Sequence, residues 1–557
     1  MSAPVCFHVT LADPASHRFG LRCDLPDPGE NPLIFSLPAW IRGSYLIRDL
    51  AKHVLDLRAW RDGVAVCLER LDKSSFRVPA GRGPVRLEYA VHAFDESVRK
   101  AFLDGRRGFF NGSSLFYCPD GYRQSAFEVC VERPAGAAFA DWKLATSMKA
   151  IEVDSAGFGR YGAEDYEALI DHPFELGTFQ RSDFDVDGVP HALVLSGRVV
   201  ADVPRVVADL QKICAAERAM FGGEPALDQY LFLTNVVSAG YGGLEHRSST
   251  ALICSRGDFP RAGQALQSKE YRTFLGLCSH EYFHLWNVKR ITAQAFLDSD
   301  LSREAYTRDL WHYEGVTSYY DDLFLLRAGL IDAPTYLDLL AEGATRLQRA
   351  PARKLHTLSD ASFETWIKYY QPDENSPNAS TNYYVKGALA ALCLDLVLRR
   401  DSKTMLDEVM RALWQRYGRT EVGVPEGGLE ALAAELSGLD LRPLFDRLLR
   451  STEDLPLVET LAAFGIQAEL RACTSAIDDG GRTLARGALP WVGLRLRAGD
   501  TSIAHVLDDS PAQRAGLSAG DQIVALDGLR VIGPQWSRRL EALMPGVEVP
   551  LQYFRGD

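Results

Sequence analysis

The segment 280–284, HEYFH, has the residue types and the spacing that bind catalytic metals. On a helix, His280 and His284 lie one turn apart on the same face, so both imidazoles reach the same point. Imidazole nitrogens are ordinary zinc ligands. Glu281 is rotated by about 100° from His280, which sets its carboxylate beside the metal, where a base for the attacking water belongs. The spacing predicts a zinc-dependent hydrolase.

The same five residues also arise by chance. With 12 histidines in 557 positions, the motif is expected in roughly one chain in a hundred, and a helix with two surface histidines and a glutamate is ordinary. The flanks favour a helix, because residues 271–279 carry apolar side chains at helical spacing, Leu285 and Trp286 continue the run, and no proline interrupts it. We therefore expect a helix that includes 271–286.

A catalytic zinc needs a third protein ligand and an open fourth position. Glu314 is the candidate, 314 − 284 = 30 residues after the second histidine, in the segment 311–315, WHYEG. It falls on a second predicted helix, from about Ser302 to Leu326, with Gly329 placed to cap its end. Aromatic neighbours indicate burial, and a buried carboxylate is costly unless a cation pairs with it. The alternative is a solvated helix carboxylate. His312 is predicted to be structural.

Together the motifs resemble a known family. HEYFHLW followed by WHYEG resembles the gluzincin metallopeptidases, and the segments 242–246, GGLEH, and 384–387, YVKG, are similar to segments of the aminopeptidase N relatives. The N-terminal segment 37–48, LPAWIRGSYLIR, and a C-terminal PDZ-like module narrow the resemblance to the glycyl aminopeptidase family of zinc metallopeptidases. The resemblance covers essentially the whole chain.

This resemblance implies roles at the N-terminus of a substrate. Glu245 would bind the free α-amine, because a carboxylate pairs with an ammonium. Gly242 and Gly243 would let the backbone of an edge strand lie along the peptide. Without the metal motif the segment would be interpreted as a glycine-rich turn. His246 stands where the wider pattern has asparagine.

Tyr384 would donate its hydroxyl to the oxyanion that forms on the scissile carbonyl. The resemblance favours Tyr384, whereas from the residues alone either Tyr383 or Tyr384 would serve, or both would be core aromatics. The implied activity is that of an aminopeptidase with one zinc ion, which removes small N-terminal residues, Gly or Ala, from peptides. Two alternatives are a zinc endopeptidase or oligopeptidase, and a catalytically dead, PDZ-bearing peptide-binding protein.

Three regions differ in the period of their apolar residues, so we expect a multidomain α+β chain. Residues 1–170 alternate in short stretches between turn clusters and predict an antiparallel β-sandwich. Residues 171–460 predict a mainly helical domain, with a helix that begins near Val203 and a strand at Tyr230–Val237. The resemblance implies that this domain is a thermolysin-like catalytic domain. Residues 461–557 resemble a PDZ domain.

In the PDZ-like module the resemblance implies that Gly493 and Leu494 line a loop for the carboxylate of a C-terminal peptide. The sequence predicts a strand at 490–497, a turn and short helix at 510–517, and a strand with a hairpin at 520–528. A complete module continues beyond the strand at 551–554, so the last strand is expected to be missing. Equally, the module could only pack on the catalytic domain.

Composition excludes several classes of protein. The apolar fraction of 46% and the charged fraction of 24% are those of a globular chain. The net charge of −13 argues against a nucleic-acid partner, and no apolar run is long enough to span a membrane. Ten scattered cysteines and the lack of a signal-like N-terminus predict a cytoplasmic protein, with a periplasmic location open if a signal was removed.

Overall fold

The computed structural model describes residues 4–26, 28–264, 267–475, 478–483 and 487–556. The chain forms two compact units, Met1–Ala305 with Trp414–Val424 and Tyr306–Leu413 with Pro425–Asp557. Strands predominate in the first unit and helices in most of the second. The predicted multidomain α+β class, with a β-rich N-terminal region followed by helices, is therefore confirmed.

An eight-stranded sheet is the largest element of the first unit. Its strand Val85–His92 buries every second side chain, as a strand with one face in the core does. Val5–Asp13 pairs in parallel with Phe127–Val131, so the expectation of a purely antiparallel sandwich is wrong at this pair. Parallel neighbours need a long crossover, which short turn signals do not reveal. In sheet order the strands are Lys149–Val153, Gly159–Ala163, Phe127–Val131, Val5–Asp13, Arg18–Leu25, Val85–His92, Val54–Arg61 and Val64–Val66.

Two four-stranded sheets cover this sheet through aromatic contacts. Phe19 of the large sheet lies 5.4 Å from Phe110 of one small sheet, ring centre to ring centre. Tyr89 of the large sheet reaches the second small sheet through Tyr117, which packs edge to face on Phe76. In sheet order the strands are Lys143–Ala145, Phe174–Gly177, Arg107–Phe110 and Ala101–Leu103 in the first, and Cys118–Pro119, Leu33–Ser36, Ser75–Val78 and Glu69–Arg70 in the second.

A five-stranded sheet follows in the same unit, and its strand at Tyr230–Val237 confirms the prediction. The edge strand Tyr241–Glu245 runs antiparallel to its one neighbour, Ser249–Ser255. In sheet order the strands are Gln180–Val186, Val189–Ser196, Tyr230–Val237, Ser249–Ser255 and Tyr241–Glu245.

The helix that carries the metal motif spans Lys269–Phe283, and its N-cap Ser268 accepts a hydrogen bond from the N–H of Tyr271 at 3.1 Å. His284 is the C-cap, so the expected continuation to Trp286 is wrong. Trp286 is buried because it stacks on Phe221 at 4.6 Å, not because the helix continues. The other α-helices of this unit are Tyr166–Ile170, Val203–Met220 and Gln294–Leu297.

In the second unit a π-helical turn, Trp311–Val316, leads into the helix Thr317–Arg327. The predicted helix start near Ser302 is wrong, because Asp300 accepts hydrogen bonds from the N–H and hydroxyl of Ser302 and closes a local turn instead. Gly329 has a φ of +69° after the C-cap, as its predicted capping role requires. Further α-helices are Ala333–Gln348, Leu358–Phe363, Thr365–Lys368, Ser376–Ala379, Tyr383–Asp401, Leu406–Leu413, Gly428–Ser437, Arg442–Leu449 and Leu457–Ala462.

The C-terminal part of this unit has a small core of its own, which includes Ile503, Ile523 and Trp536. Strands and a short helix fall where the sequence predicts them. The predicted elements are the strand Leu494–Leu496, the helix Pro511–Arg514, and a sheet of Leu529–Arg530, Gln522–Leu526 and Leu551–Phe554. The strand Ile503–Val506, which pairs with Leu494–Leu496, and the helix Trp536–Glu541 were not predicted. Across the described residues, no helix has the length and apolar character that crossing a bilayer demands.

Candidate active site

The helix Lys269–Phe283 brings the two histidines of the motif together. Their ring centres lie 4.6 Å apart, and their ligand nitrogens come within 4.8 Å of each other. The Nδ1 of His284 is 2.8 Å from the backbone oxygen of Asn287. A carbonyl oxygen only accepts, so Nδ1 carries the proton and Nε2 keeps its lone pair, the tautomer that a metal requires. The two imidazoles are therefore placed as zinc ligands require.

Glu281 lies against the edge strand Tyr241–Glu245. A Cβ atom at Gly243 would lie 2.1 Å from Glu281 Oε1, so only glycine leaves room for this carboxylate. Gly242 is required for a different reason, since its φ of +154° is one that other residues rarely adopt. The two glycines predicted to let a peptide approach thus also shape the strand around Glu281.

Glu245 ends the same strand and is 3% exposed. Its Oε1 has no hydrogen-bond donor among the residues that the structure describes. Carboxylate oxygens of Glu245 and Glu281 and a nitrogen of His284 all lie within 4.8 Å of one another. Two buried carboxylates this close are stable as anions only when cations neutralise them. The pocket is therefore suited to positively charged groups.

A loop of the N-terminal β-region closes over Glu245. Gly43 has a φ of +95°, and a Cβ atom there would lie 1.9 Å from Glu245 Oε1. Lys289 fastens the loop, because its ammonium donates to the backbone oxygen of Arg42 at 3.2 Å and pairs with Asp171 at 2.7 Å. The sequence shows a glycine in the segment 37–48, but nothing in it points to Glu245 as the partner.

The residue after Glu245 supports the same region. His246 is fully buried, with its Nδ1 3.4 Å from Asp171 Oδ1. Burial raises the pKa of the Asp171 carboxyl, but the nearby Lys289 and His246 outweigh it and hold that pKa well below its usual range. Asp171 is therefore a fixed anion beneath the loop, and His246 belongs to this support.

In the second unit two glycines bring Glu314 and Tyr384 onto neighbouring turns. A Cβ atom at Gly315 would lie 2.6 Å from the Cα of Gly387, so the π-turn and the helix Tyr383–Asp401 touch backbone to backbone. Glu314 is 2% exposed. Burial, with a contribution from the Glu314 carboxylate, raises the pKa of Tyr384 well above its usual value. Tyr384 therefore keeps its proton and remains a hydrogen-bond donor.

The two adjacent tyrosines differ in exposure. Tyr383 is fully buried, whereas Tyr384 is half-buried. The hydroxyls of Tyr384 and Tyr370 are 2.7 Å apart. Tyr384 is therefore the more accessible of the two residues, and its hydroxyl has a hydrogen-bonding neighbour, Tyr370, that no sequence motif marks.

The remaining predicted residues lie elsewhere. His312 is buried and stacks on Tyr313 at 4.4 Å, and burial lowers its pKa to about 3, so it is a neutral core residue. In the C-terminal module, a Cβ atom at Gly493 would lie 2.0 Å from the Cβ of Ser510, and Leu494 packs against the module's core. Their role in a carboxylate loop stays a prediction.

Known proteins share both the sequence and the fold. Family models match over residues 6–178, the peptidase M61 N-terminal domain, and over residues 273–390, the M61 glycyl aminopeptidase. The crystal structure of an aminopeptidase N family protein from Idiomarina loihiensis has 38% sequence identity and a TM-score of 0.95, and the match covers 99% of this chain and 94% of that one.

More distant structures share the fold alone. The M1 zinc metallopeptidase from Deinococcus radiodurans is 15% identical with a TM-score of 0.52, over 82% of this chain and 95% of its own. Legionella pneumophila aminopeptidase A in complex with aspartic acid is 14% identical with a TM-score of 0.52, over 81% of this chain and 49% of its own. No curated protein matched.

The chain thus matches two family models over separate ranges, and it matches an aminopeptidase N family structure over nearly its whole length. On this evidence the chain belongs to the M61 glycyl aminopeptidase family and is a peptide hydrolase.

Proposed function

We propose that the protein is a zinc-dependent aminopeptidase that removes small N-terminal residues from peptides. The observation that carries this proposal is the buried carboxylate of Glu245, whose Oε1 has no donor among the described residues and which lies beside Glu281 and His284. A substrate ammonium would supply the missing donor and the missing charge. An endopeptidase has no need of such a group.

His280, His284 and Glu314 would hold one zinc ion. Support comes from the tautomer of His284, fixed by Asn287, and from the burial of Glu314 on a π-turn, a feature frequent at functional sites. When bound, zinc polarises the scissile carbonyl and lowers the pKa of water.

The chain's own residues carry the proton transfers. Glu281 would accept a proton from the attacking water and pass it to the leaving amine, since it is the carboxylate next to the ligand histidines. Tyr384 would donate its hydroxyl to the oxyanion, which is negatively charged only after attack, so the bond favours the transition state. Glu245 would hold the free amine and so fix which peptide bond is cut.

A preference for Gly or Ala follows from the family and from the loop at Gly43. The backbone of Gly43 lies against the Glu245 carboxylate, and Lys289 fixes the preceding residue. A first residue held at Glu245 therefore meets a wall of backbone on this side, which favours a small side chain.

The decisive experiment compares glycyl-anilide with its N-acetylated form on the purified zinc protein. We expect hydrolysis of the free amine alone, because the acetylated nitrogen has no charge to pair with Glu245. Equal rates would indicate an endopeptidase or oligopeptidase. A Glu281→Gln variant should retain zinc and lose about 10²–10⁴-fold in kcat. Glu270→Gln, an exposed glutamate on the same helix, is the matched control. Absence of zinc, or full activity in Glu281→Gln, would point to a catalytically dead protein.

Two further expectations belong to this proposal. The strand Leu494–Leu496 has one partner strand among the described residues, which supports strand addition of a C-terminal peptide at the PDZ-like module. All ten cysteines are free thiols, which supports a reducing compartment such as the cytoplasm. Calorimetry tests peptide binding at the PDZ-like module by comparing peptides that end in a free carboxylate with the same peptides ending in an amide.

A further inference from the structure

Arg99 differs from three other cations near the edge strand Tyr241–Glu245. Arg42 pairs with Glu167 at 3.6 Å, Lys289 with Asp171 at 2.7 Å, and Arg247 with Glu421. Arg99 has no carboxylate partner among the described residues, and its Nε is buried without a hydrogen-bond acceptor. Its guanidinium, on a half-buried side chain, therefore has no anionic partner among the described residues.

This guanidinium lies on the free edge of the strand. The N–H of His246 bonds to the neighbouring strand at Ser249, so the alternate residues Leu244 and Gly242 face that neighbour too. Gly243 and Glu245 then turn their backbone groups to the open side. Arg99 agrees with this assignment, since its Nη2 donates to the backbone oxygen of Gly243 at 3.1 Å.

Two groups of opposite charge, each with one atom that lacks a hydrogen-bond partner among the described residues, thus lie at one strand edge. Glu245 presents a carboxylate oxygen without a donor, and Arg99 presents a guanidinium without a carboxylate. Glu245 and Gly243 are two positions apart, which is about 7 Å along a strand. An extended dipeptide spans about the same distance between its ammonium and its carboxylate.

We propose that Arg99 binds a carboxylate of the substrate, which makes short zwitterionic peptides, dipeptides above all, the preferred substrate class. The inference rests on the proposed aminopeptidase function, because it places the amine at Glu245. Arg99 also occupies the carbonyl oxygen of Gly243, so a longer peptide loses one backbone hydrogen bond at this edge. The carboxylate comes from the peptide's C-terminus or from an acidic side chain at the second residue.

The test measures kcat/KM on the zinc enzyme for a glycyl dipeptide, for its C-terminal amide, and for the amide of glycyl-aspartate. We expect the free acid to exceed its amide by about tenfold or more, as a charge-assisted hydrogen bond would give. The ratio should fall to about one in Arg99→Met and to an intermediate value in Arg99→Lys. Lys100→Met, which removes the adjacent cation paired with Asp95 at 2.9 Å, should keep the ratio.

The outcomes separate the two proposals. If the wild-type enzyme cleaves acid and amide equally, Arg99 does not bind carboxylates and the inference is overturned, although the aminopeptidase stands; this arm needs no variant to fold. If neither is cleaved, the proposed function itself fails. An Arg99→Met variant that slows acid and amide in proportion would reduce Arg99 to a support of the strand. Faster cleavage of the glycyl-aspartate amide than of the neutral amide would identify acidic side chains as the second source.

Discussion

The two units contain chemically different sets of candidate residues, and each set is assembled in a different way. In the first unit, His280, Glu281 and His284 come from one helix, where i and i+4 positions share a face whatever surrounds them. In the second, Glu314 and Tyr384 are far apart in sequence, and the contact of Gly315 with Gly387 brings their turns together. The first arrangement is local and visible in the sequence, whereas the second depends on how two elements pack.

The largest expected effect tests whether the second unit supplies a metal ligand. Glu314→Gln should lose most of its zinc on dialysis, and activity should fall with it, because a neutral amide is a weaker ligand than a carboxylate. Elemental analysis of the dialysed protein measures this. Glu374→Gln, an exposed glutamate of the same unit, is the control. If Glu314→Gln keeps the zinc and the activity of the wild type, the first unit holds the metal without this residue.

The next effect separates the two neighbouring tyrosines. Tyr384→Phe should lower kcat by about 10²–10³-fold, the usual cost of a lost oxyanion donor. Zinc content and KM should change little, since the hydroxyl acts in the transition state. Tyr383→Phe should leave kcat nearly unchanged, because adjacent residues of a helix point about 100° apart and only one of the two can face the reacting carbonyl. Steady-state kinetics on glycyl-anilide measure kcat for both variants. A large loss in Tyr383→Phe with little change in Tyr384→Phe would assign the oxyanion donor to Tyr383 instead.

The contact between Gly315 and Gly387 predicts a loss of stability on substitution that a glycine on an open helix face does not share. Gly315→Ala should cost about 1–3 kcal/mol of unfolding free energy, as overpacking does, because its Cβ would lie 2.6 Å from the Gly387 Cα. Gly343→Ala lies on the helix Ala333–Gln348 with nothing within 4 Å of its Cβ, and it should stabilise by about 0.5–1 kcal/mol. Denaturant unfolding measures both. If Gly315→Ala is as stable as the wild type, the close backbone contact between Gly315 and Gly387 is contradicted.

The remaining effect concerns the pH dependence of stability in the second unit and leaves the candidate active-site residues unchanged. Burial raises the pKa of Asp309 to about 6; the N–H of Gly427 opposes the shift, while Glu426 and Glu430 add to it. Between about pH 4 and 6 the folded state therefore holds a proton that the unfolded chain has lost, so stability falls as pH rises through this range. Asp309→Asn should remove this fall, and at pH 7 it should be more stable by about 2–3 kcal/mol. The measurement is the free energy of unfolding as a function of pH. If it falls equally steeply in the wild type and in Asp309→Asn, the raised pKa is contradicted.

The sequence predicted much of the fold and most candidate residues, but not how far elements extend. The strand Tyr230–Val237 is found as predicted because a continuous apolar run between turns is a local signal. The metal helix ends at Phe283 although the apolar run continues, since Trp286 is buried by Phe221. Apolar side chains look alike whether a helix or a tertiary contact buries them.

What the sequence by itself determined is the set of candidate residues: two histidines and a glutamate at helical spacing, and motifs that mark Glu245, Glu314 and Tyr384. Only the tertiary structure decided which groups surround Glu245. The loop glycine Gly43 and the guanidinium of Arg99 reach its strand from positions well over a hundred residues earlier in the chain. Spacing in a helix or strand is fixed by backbone geometry and can be deduced from the residues, whereas such long-range contacts depend on the packing of the whole unit.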